Sequence, residues 1–268
     1  MFRIDEWTDF EAQDLALLAL SVSEEINEHN GEGSLRELEL LDEWLNETLQ
    51  EGTADEVRTQ LIHGFYQSLG FHGDWQDFFS SGNSDIATVL EQRQGIPVSL
   101  GILLIQLGRR VGLDVEGICF PGYFLVSFAG DEGEVYVDPF NGEVLSHSRI
   151  ELLLRGSLGN LATLKPDHLQ PSSGQWEIIE RLINVSKSAL LRENRMAEAL
   201  RASELLLRMK PGDPMETRDR GFIYEQLDCP RFAAEDFEYF IEQCPDDPVA
   251  DVLKMQLAAL DLSPKPLH

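Results

Sequence analysis

The sequence predicts an α+β protein that is mainly helical, with a small antiparallel sheet in the middle of the chain and an all-helical C-terminal part. Apolar residues recur at helical spacing through most of the first 113 residues. Short segments rich in β-branched and aromatic residues then follow, and beyond Trp176 no strand pattern appears. The segments predicted to be helices in the first part are 14–26, 35–49, 54–70, 86–95 and 96–113.

The helix predicted over 96–113 is the most apolar of the chain, so we expect it to be central and buried. Pro97 lies where the first turn of a helix tolerates proline. The sequence GDEG at 130–133 indicates a hairpin turn between two of the predicted strands. The predicted strands are 115–120, 122–128 and 134–140.

The segment 71–84, FHGDWQDFFSSGNS, has no helical or strand periodicity and is predicted to be a loop. Its aromatic residues are expected to hold it against the core.

The net charge of -27, from 48 acidic and 21 basic residues, disfavours direct binding to nucleic acids and to anionic membranes. The acidity either attracts a basic partner or serves solubility, including adaptation to a salty cytoplasm.

Three cysteines without a CxxC pair indicate neither a disulfide framework nor a zinc knuckle. The acidic N-terminal segment is unlike a signal peptide, and no stretch has the length of a membrane helix. We therefore expect a cytoplasmic protein.

Two similar segments near the C-terminus, MKPGDP at 209–214 and QCPDDP at 243–248, repeat with a period of 34 residues. This period is that of tetratricopeptide repeats, which the region resembles. Small residues would let two antiparallel helices approach, aromatic residues would fill the seam, and a proline would end the second helix. These packing residues are Gly221, Tyr224, Ala233, Phe237, Phe240 and Pro245. The helices either form a concave peptide-binding face or simply pack on the first domain.

Five segments carry a resemblance to a known family: RQGIPVSLG at 93–101, FPGYFLV at 120–126, VDPFNGE at 137–143, RDRGFIYEQLDCP at 218–230 and EQCPDDP at 242–248. The chain resembles SirB-type proteins, in which a transglutaminase/papain-like domain precedes tetratricopeptide repeats. The resemblance implies a bacterial protein linked to regulation of gene expression. The expected domains are 1–165, a linker over 166–175, and helical repeats over 176–268.

In transglutaminase-like domains a cysteine opens a buried helix, and a histidine and an aspartate follow on successive strands, so that the acid orients the base. Carried over to this chain, the nucleophile position falls near Pro97, and residues 1–118 contain no cysteine. The histidine position is occupied by Tyr123, and only the acid remains, as Asp138. A tyrosine with its usual pKa of about 10 is a poor base near neutral pH. The resemblance therefore predicts no catalytic residues.

Three interpretations of this site stay open at this point. A hydrolase or acyltransferase site could be rebuilt from Ser99, Cys119, Tyr123 and Asp138, with His147 entering the cleft. Alternatively, Asp138 only bonds the backbone of the DPFNG turn. A recognition groove at the same place would include Arg93, Pro97, Ser99, Tyr123, Asp138 and Asn141.

The six histidines, at 29, 63, 72, 147, 168 and 268, show no metal-ligand spacing, so neither a metal nor a cofactor is expected. The favoured function is a non-catalytic adaptor that binds a protein or peptide through the repeats or the degenerate cleft. After the adaptor and the hydrolase or acyltransferase, the third candidate function is that the repeats serve only to dimerise the protein. The sequence leaves the partner and the oligomeric state open.

Overall fold

The computed structural model describes residues 13–28, 32–172 and 174–259. The chain forms two compact units, one up to Val185 and one from Ser186, so the division falls inside one helix, α7 (Gln175–Arg192). The N-terminal residues 1–12, His29 and His268 lie outside the described residues. The sequence-based boundaries at 165 and 176 stay a prediction.

The first unit begins with three helices, α1 (Leu15–Asn27), α2 (Glu32–Thr48) and α3 (Ala54–His63). Asp14 caps α1 by accepting a hydrogen bond from the Leu17 N–H. Thr53 and Glu56 form a capping box at the start of α3. The apolar faces of these helices are buried in the core of this unit. Among the described residues, the remaining α-helices of the first unit are α4 (Ile86–Gln92), α5 (Pro97–Arg110), α6 (His147–Leu158) and the first part of α7.

Helix α5 is the buried centre of the first unit, as its composition predicts. Eleven of its 14 residues are buried. Gly101 permits this burial, because a Cβ there would lie 2.6 Å from Phe124 Cε1. The helix is thus surrounded on most sides by apolar contacts, which matches its nearly continuous apolar sequence.

The antiparallel sheet consists of β3 (Val115–Ile118), β4 (Leu125–Gly130), β5 (Gly133–Asp138) and β6 (Glu143–Val144), in that order. Gly130 pairs with Gly133, so the GDEG segment is the predicted hairpin turn. The sequence did not predict β6, nor a short parallel pair formed by β1 (His72–Gly73) and β2 (Gln94–Gly95). Residues 94–95 were expected to be helical. Helix α4 ends before them because Arg93 has a left-handed conformation, with φ of 58°.

The aromatic residues of the 71–84 loop contact the core, as expected, but three of them also keep a large exposed surface. Phe71 is fully buried and stacks on Phe65 with ring centroids 4.4 Å apart. Trp75, Phe78 and Phe79, in contrast, are 77%, 36% and 58% exposed. Trp75 and Phe78 each contact the buried Phe140 ring with part of their surface, and the rest of each side chain is exposed.

The segment 166–175, which the sequence predicts to be a linker, contacts the first unit. Leu169 packs against a cluster that includes Phe120 and Leu154. The Ser172 N–H donates a hydrogen bond to the Gly117 carbonyl at 2.8 Å. Residues 175–185 of α7 belong to the same unit, where Ile178 and Leu182 are buried.

The second unit contains the rest of α7, then α8 (Met196–Met209), α9 (Pro214–Gln226), α10 (Pro230–Gln243) and α11 (Pro248–Ala259). A proline occupies the first turn of α9 and α10, where its missing N–H costs no helical hydrogen bond. The apolar core of this unit joins α10 to α11. Its fully buried members are Ala233, Phe237, Phe240, Ala250 and Leu253, with Tyr224 partly buried against them.

Gly221 lets α9 and α10 approach closely, since a Cβ there would lie 2.6 Å from Phe237 Cε1. Pro245 is exposed and follows the end of α10 at Gln243. A buried polar network joins α7, α8 and α9, because both the Lys187 ammonium and the Ser203 hydroxyl donate to the Glu216 carboxylate. The sequence pattern had shown no sign of this network.

Candidate functional site

The position that a nucleophile would take lies at the start of α5, and the hydroxyl there is committed to the backbone. Ser99 is completely buried. Its Oγ accepts a hydrogen bond from the Ile96 N–H at 3.1 Å and donates to the Asn83 carbonyl at 2.6 Å. A hydroxyl with no exposed surface and with its proton held by a carbonyl is poorly placed to attack a substrate. Its visible role is to cap α5 and hold the 81–84 turn.

Tyr123 and Asp138, which occupy the positions of a base and its orienting acid, contact each other directly. The Tyr123 hydroxyl donates to Oδ1 and Oδ2 of Asp138 at 3.0 and 3.2 Å. Burial, together with the nearby Asp138 charge, raises the pKa of Tyr123 far above its usual value. Tyr123 therefore keeps its proton and acts as a hydrogen-bond donor, so it cannot replace the missing histidine as a base.

Asp138 also organises the DPFNG turn. Its Oδ1 accepts a hydrogen bond from the Phe140 N–H at 2.9 Å, and its carbonyl accepts one from the Gly142 N–H at 2.8 Å. Burial raises the pKa of the Asp138 carboxyl, although the bonds from Phe140 and Tyr123 act in the opposite direction. Asn141 is exposed at the tip of the turn, where its Oδ1 accepts the Glu143 N–H. The carboxylate is thus used as a structural acceptor for two donors.

A small cavity of about 80 Å³ marks the place of the degenerate cleft. Pro97 and Tyr123 line it, as expected, and Arg181 of α7 donates a hydrogen bond to the Tyr123 carbonyl at 3.3 Å. Phe78 and Val185 complete much of the wall. Pockets for small molecules usually have volumes of roughly 300–1,000 Å³. The cleft is therefore mostly filled by side chains of the first unit.

Three other predicted residues, Arg93, Cys119 and His147, are not among the described residues that line this cavity. The Arg93 guanidinium donates to Glu37 at 2.6 Å and lies over the Phe71 ring. The Cys119 thiol points to the Glu177 carbonyl, with Sγ 3.8 Å from the oxygen, and burial raises its pKa. His147 is exposed in the first turn of α6. The structure thus brings together only Pro97, Tyr123 and Asp138 of the predicted set.

A second, larger cavity of about 250 Å³ lies among α1, α2 and α5. Leucines such as Leu38 and Leu103 form much of its wall, and Arg110, which also lines it, bridges Asp14 and Asp42 at 2.5 and 2.7 Å. In the described part of the chain, no three His, Cys, Asp or Glu side chains cluster as a metal site would require. Over the same residues, no helix combines the length and the apolarity needed to cross a membrane.

An exposed aromatic cluster beside the cleft was missed by the sequence interpretation. Trp75 packs edge-on against the buried Phe140 ring with centroids 4.5 Å apart, and Phe78 packs against Phe140 and Phe79. We call the exposed side chains of Trp75, Phe78 and Phe79 the aromatic loop surface. The signal that could have identified it was three large aromatic residues within five positions of a segment that lacks any period.

Comparison with known proteins was consistent with this architecture. The family described as "Transglutaminase-like superfamily" matches residues 32–184, and "Tetratricopeptide repeat" matches residues 187–258. A "UPF0162 protein" of Vibrio cholerae is 45% identical over 255 residues, which is 94% of each chain. "Protein SirB1" of Salmonella typhimurium and "UPF0162 protein YchA" of Escherichia coli are each 37% identical over 204 residues, or 76% of each chain. No solved structure matches significantly.

Proposed function

This chain belongs to the transglutaminase-like superfamily, within the family that includes SirB1 and YchA, and from that premise we propose that it is a non-catalytic interaction protein. It would act as an adaptor in the bacterial cytoplasm, in a regulatory role, by binding a protein or peptide through its tetratricopeptide repeats. The degenerate cleft would then be a structural remnant.

The observation that carries this proposal is the hydrogen bond between Tyr123 and Asp138. In the family's chemistry an aspartate orients a histidine that deprotonates a thiol. Here the acid accepts from a phenol that keeps its proton, and the helix opens with Pro97 instead of a cysteine. Thiol-dependent acyl transfer thus lacks both the nucleophile and the base. The small volume of the cavity supports the same conclusion.

A surface suited to a partner lies on α9 in the second unit. Met215, Arg218 and Phe222 follow one another at spacings of three and four residues, so they share one helical face. Met215 and Phe222 are 43% and 37% exposed, and the Arg218 guanidinium lies over the Phe240 ring. Aromatic, methionine and arginine side chains are enriched in protein interfaces. Because the buried α10 core supports this face from below, it is pre-organised for binding.

The test is a quantitative pull-down from bacterial lysate with the full-length chain and two variants. One variant carries Met215→Ser and Phe222→Ser, and the matched control carries Phe232→Ser on α10, where Phe232 is 55% exposed. We expect a specific partner that is lost with the first variant and retained with the second. Equal recovery with all three proteins would refute the α9 face. Full-length chains are needed because Ile178 and Leu182 of α7 are buried in the first unit, so truncation near Gln170 would open its core.

The competing function is a hydrolase or acyltransferase with a rebuilt site. The feature that favours it is the retained Asp138 beside a cavity wall formed by Tyr123 and Pro97. It predicts that a serine- or thiol-directed probe labels Ser99 or Cys119 and that Asp138→Ala abolishes the labelling. Such labelling would overturn the non-catalytic proposal. We expect neither residue to react faster than in the urea-unfolded chain.

A further inference from the structure

We propose that the aromatic loop surface is a docking site for a cationic polypeptide segment of a partner protein, in which arginine or lysine residues flank an apolar side chain. This inference rests on the proposed interaction function and adds to it a second surface, in the first unit, and the chemistry of the segment bound there.

The exposure of the surface is large for three neighbouring aromatic side chains. Trp75 is 77% exposed and Phe79 58% exposed, although both belong to an ordered loop. The Trp75 ring meets the Phe140 ring at 83°, with the centroids 4.5 Å apart, and still keeps this exposure. Clustered exposed apolar side chains mark interaction sites, and tryptophan is enriched among the residues that contribute most to binding.

The loop is held rigidly beneath these side chains. The Gly73 N–H donates to the Phe140 carbonyl at 2.8 Å, and the Asp74 N–H donates to the Gly95 carbonyl at 3.0 Å. The Asp74 carboxylate accepts from the N–H groups of Gln76 and Asp77 and from the Asn83 amide. A partner would therefore meet aromatic groups that are already positioned, which reduces the entropic cost of binding.

Charge selects the kind of partner. Residues 59–92 contain no lysine or arginine but contain Asp74, Asp77, Asp85 and Glu91. Hydrogen bonds from the Asp77 and Gln76 backbones and from the Asn83 amide lower the pKa of Asp74, so its negative charge persists beside Trp75. Two arginines that contact this region already have partners. Arg93, which lies over the Phe71 ring, pairs with Glu37, and Arg181, which lines the small cavity together with Phe78, donates to the Tyr123 carbonyl.

Cations are also the natural ligands of exposed aromatic rings, because the ring face attracts a guanidinium or ammonium group, most strongly in tryptophan. The same negative charge disfavours the other occupants. A second copy of this chain would bring another net charge of -27 to the interface, and an anionic lipid surface would be repelled. A cationic segment with an apolar anchor is the class that satisfies both the rings and the carboxylates.

The experiment uses the full-length chain and two fluorescein-labelled synthetic peptides, one of alternating arginine and leucine and one with every arginine replaced by glutamate. Binding is measured by fluorescence anisotropy at low and at physiological salt. One variant carries Trp75→Ser and Phe79→Ser, and the matched control carries Leu161→Ser, since Leu161 is 98% exposed in the same unit. Circular dichroism establishes that both variants are folded.

We expect the arginine peptide to bind the wild type and the Leu161→Ser control equally, and the Trp75→Ser/Phe79→Ser variant at least about tenfold more weakly. The glutamate peptide should not bind. Asp77→Asn should weaken binding several-fold at low salt and less at physiological salt, because an exposed charge is screened. Equal affinity for the aromatic variant would overturn the inference, since only the net charge would then attract the peptide.

Two further outcomes would also overturn it. Sedimentation velocity could show self-association that the Trp75→Ser/Phe79→Ser variant abolishes, which would assign the surface to a second copy. Co-sedimentation with vesicles of phosphatidylcholine and phosphatidylglycerol, lost in the same variant, would assign it to lipid. Neither result depends on the α9 face, because Met215 and Phe222 are unchanged in these proteins. If the arginine peptide does not bind the aromatic loop surface while the pull-down still recovers a partner through the α9 face, this inference is refuted and the proposed function stands.

Discussion

Replacing Asp138 by alanine tests whether this acid is kept for structure. The substitution removes the acceptor of two donors, the Phe140 N–H and the Tyr123 hydroxyl, in a site where Asp138 itself is only 7% exposed. A buried donor left without a partner costs about 1–3 kcal/mol. Tyr123 is only partly buried, so water can reach its hydroxyl in part. We therefore expect the first unit to lose about 2–4 kcal/mol of unfolding free energy.

Two milder variants separate the contributions. Asp138→Asn keeps an Oδ1 acceptor for the Phe140 N–H and should cost less, about 1–2 kcal/mol. Tyr123→Phe removes the hydroxyl that donates a hydrogen bond to the Asp138 carboxylate. It should cost about 1–2 kcal/mol, because a hydrogen bond to a charged acceptor contributes more than one between neutral groups. In a double-mutant cycle these two substitutions should show a coupling energy above about 0.5 kcal/mol, because the side chains are in direct contact.

The assay must report on the first unit, since the two compact units need not unfold together. Native-state hydrogen exchange of the β4 and β5 amides, for example those of Val126 and Val137, gives that local free energy. A loss of less than about 0.5 kcal/mol for Asp138→Ala would refute the structural role, as such a value is typical of an unimportant surface position. The retained acid would then need a chemical or binding explanation.

Four other results are expected. Phe237→Ala should destabilise the second unit by about 3–5 kcal/mol, because the Phe237 side chain is fully buried against α9. Denaturant unfolding measures this cost, and a value below about 1 kcal/mol would contradict the packing described. Ser99→Ala should cost the first unit about 1–3 kcal/mol, because the buried Ile96 N–H loses its acceptor, as measured by hydrogen exchange; an unchanged value would mean that water or another group replaces the hydroxyl. Iodoacetamide should alkylate Cys119 more slowly than it alkylates glutathione at neutral pH, because burial raises the thiol pKa; faster reaction, followed by mass spectrometry, would restore it as a nucleophile. Finally, burial raises the pKa of Asp138, so the folded chain binds its proton more tightly than the unfolded chain, and the pH-dependent part of its contribution to stability is present below the ordinary aspartate pKa of about 4 and is lost as pH rises through the higher folded-state value. Unfolding free energies measured over that range should decline less in Asp138→Asn than in the wild type, and an identical decline would assign the pH dependence to other groups.

The elements that the sequence predicted well are those whose signal is local. Helix α5 is nearly all apolar, and the GDEG turn joins two segments rich in β-branched and aromatic residues, so burial and hairpin pairing follow from composition. The 34-residue period likewise predicts where α9 and α10 approach, because only a small residue such as Gly221 permits the contact with Phe237.

The elements that the sequence missed depend on partners distant along the chain. The β1–β2 pair joins residues 72–73 to 94–95, and the side chain of Arg93, the left-handed residue that ends α4, pairs with Glu37 of another helix. Neither contact leaves a periodic pattern. The orientation of Trp75 likewise depends on a distant residue, because Phe140, in the turn that follows β5, packs against its ring.

By itself, the sequence determined the order of the helical, sheet and repeat regions along the chain, the absence of the thiol and the histidine of the family's triad, and a net charge of -27. These are matters of residue identity and local period. The tertiary structure alone decided that Ser99 is sealed beneath the Asn83 carbonyl, that Tyr123 donates to Asp138, and that three aromatic rings remain exposed. The physical reason is that burial and hydrogen bonding depend on which surfaces meet, and those surfaces come from segments far apart in the chain.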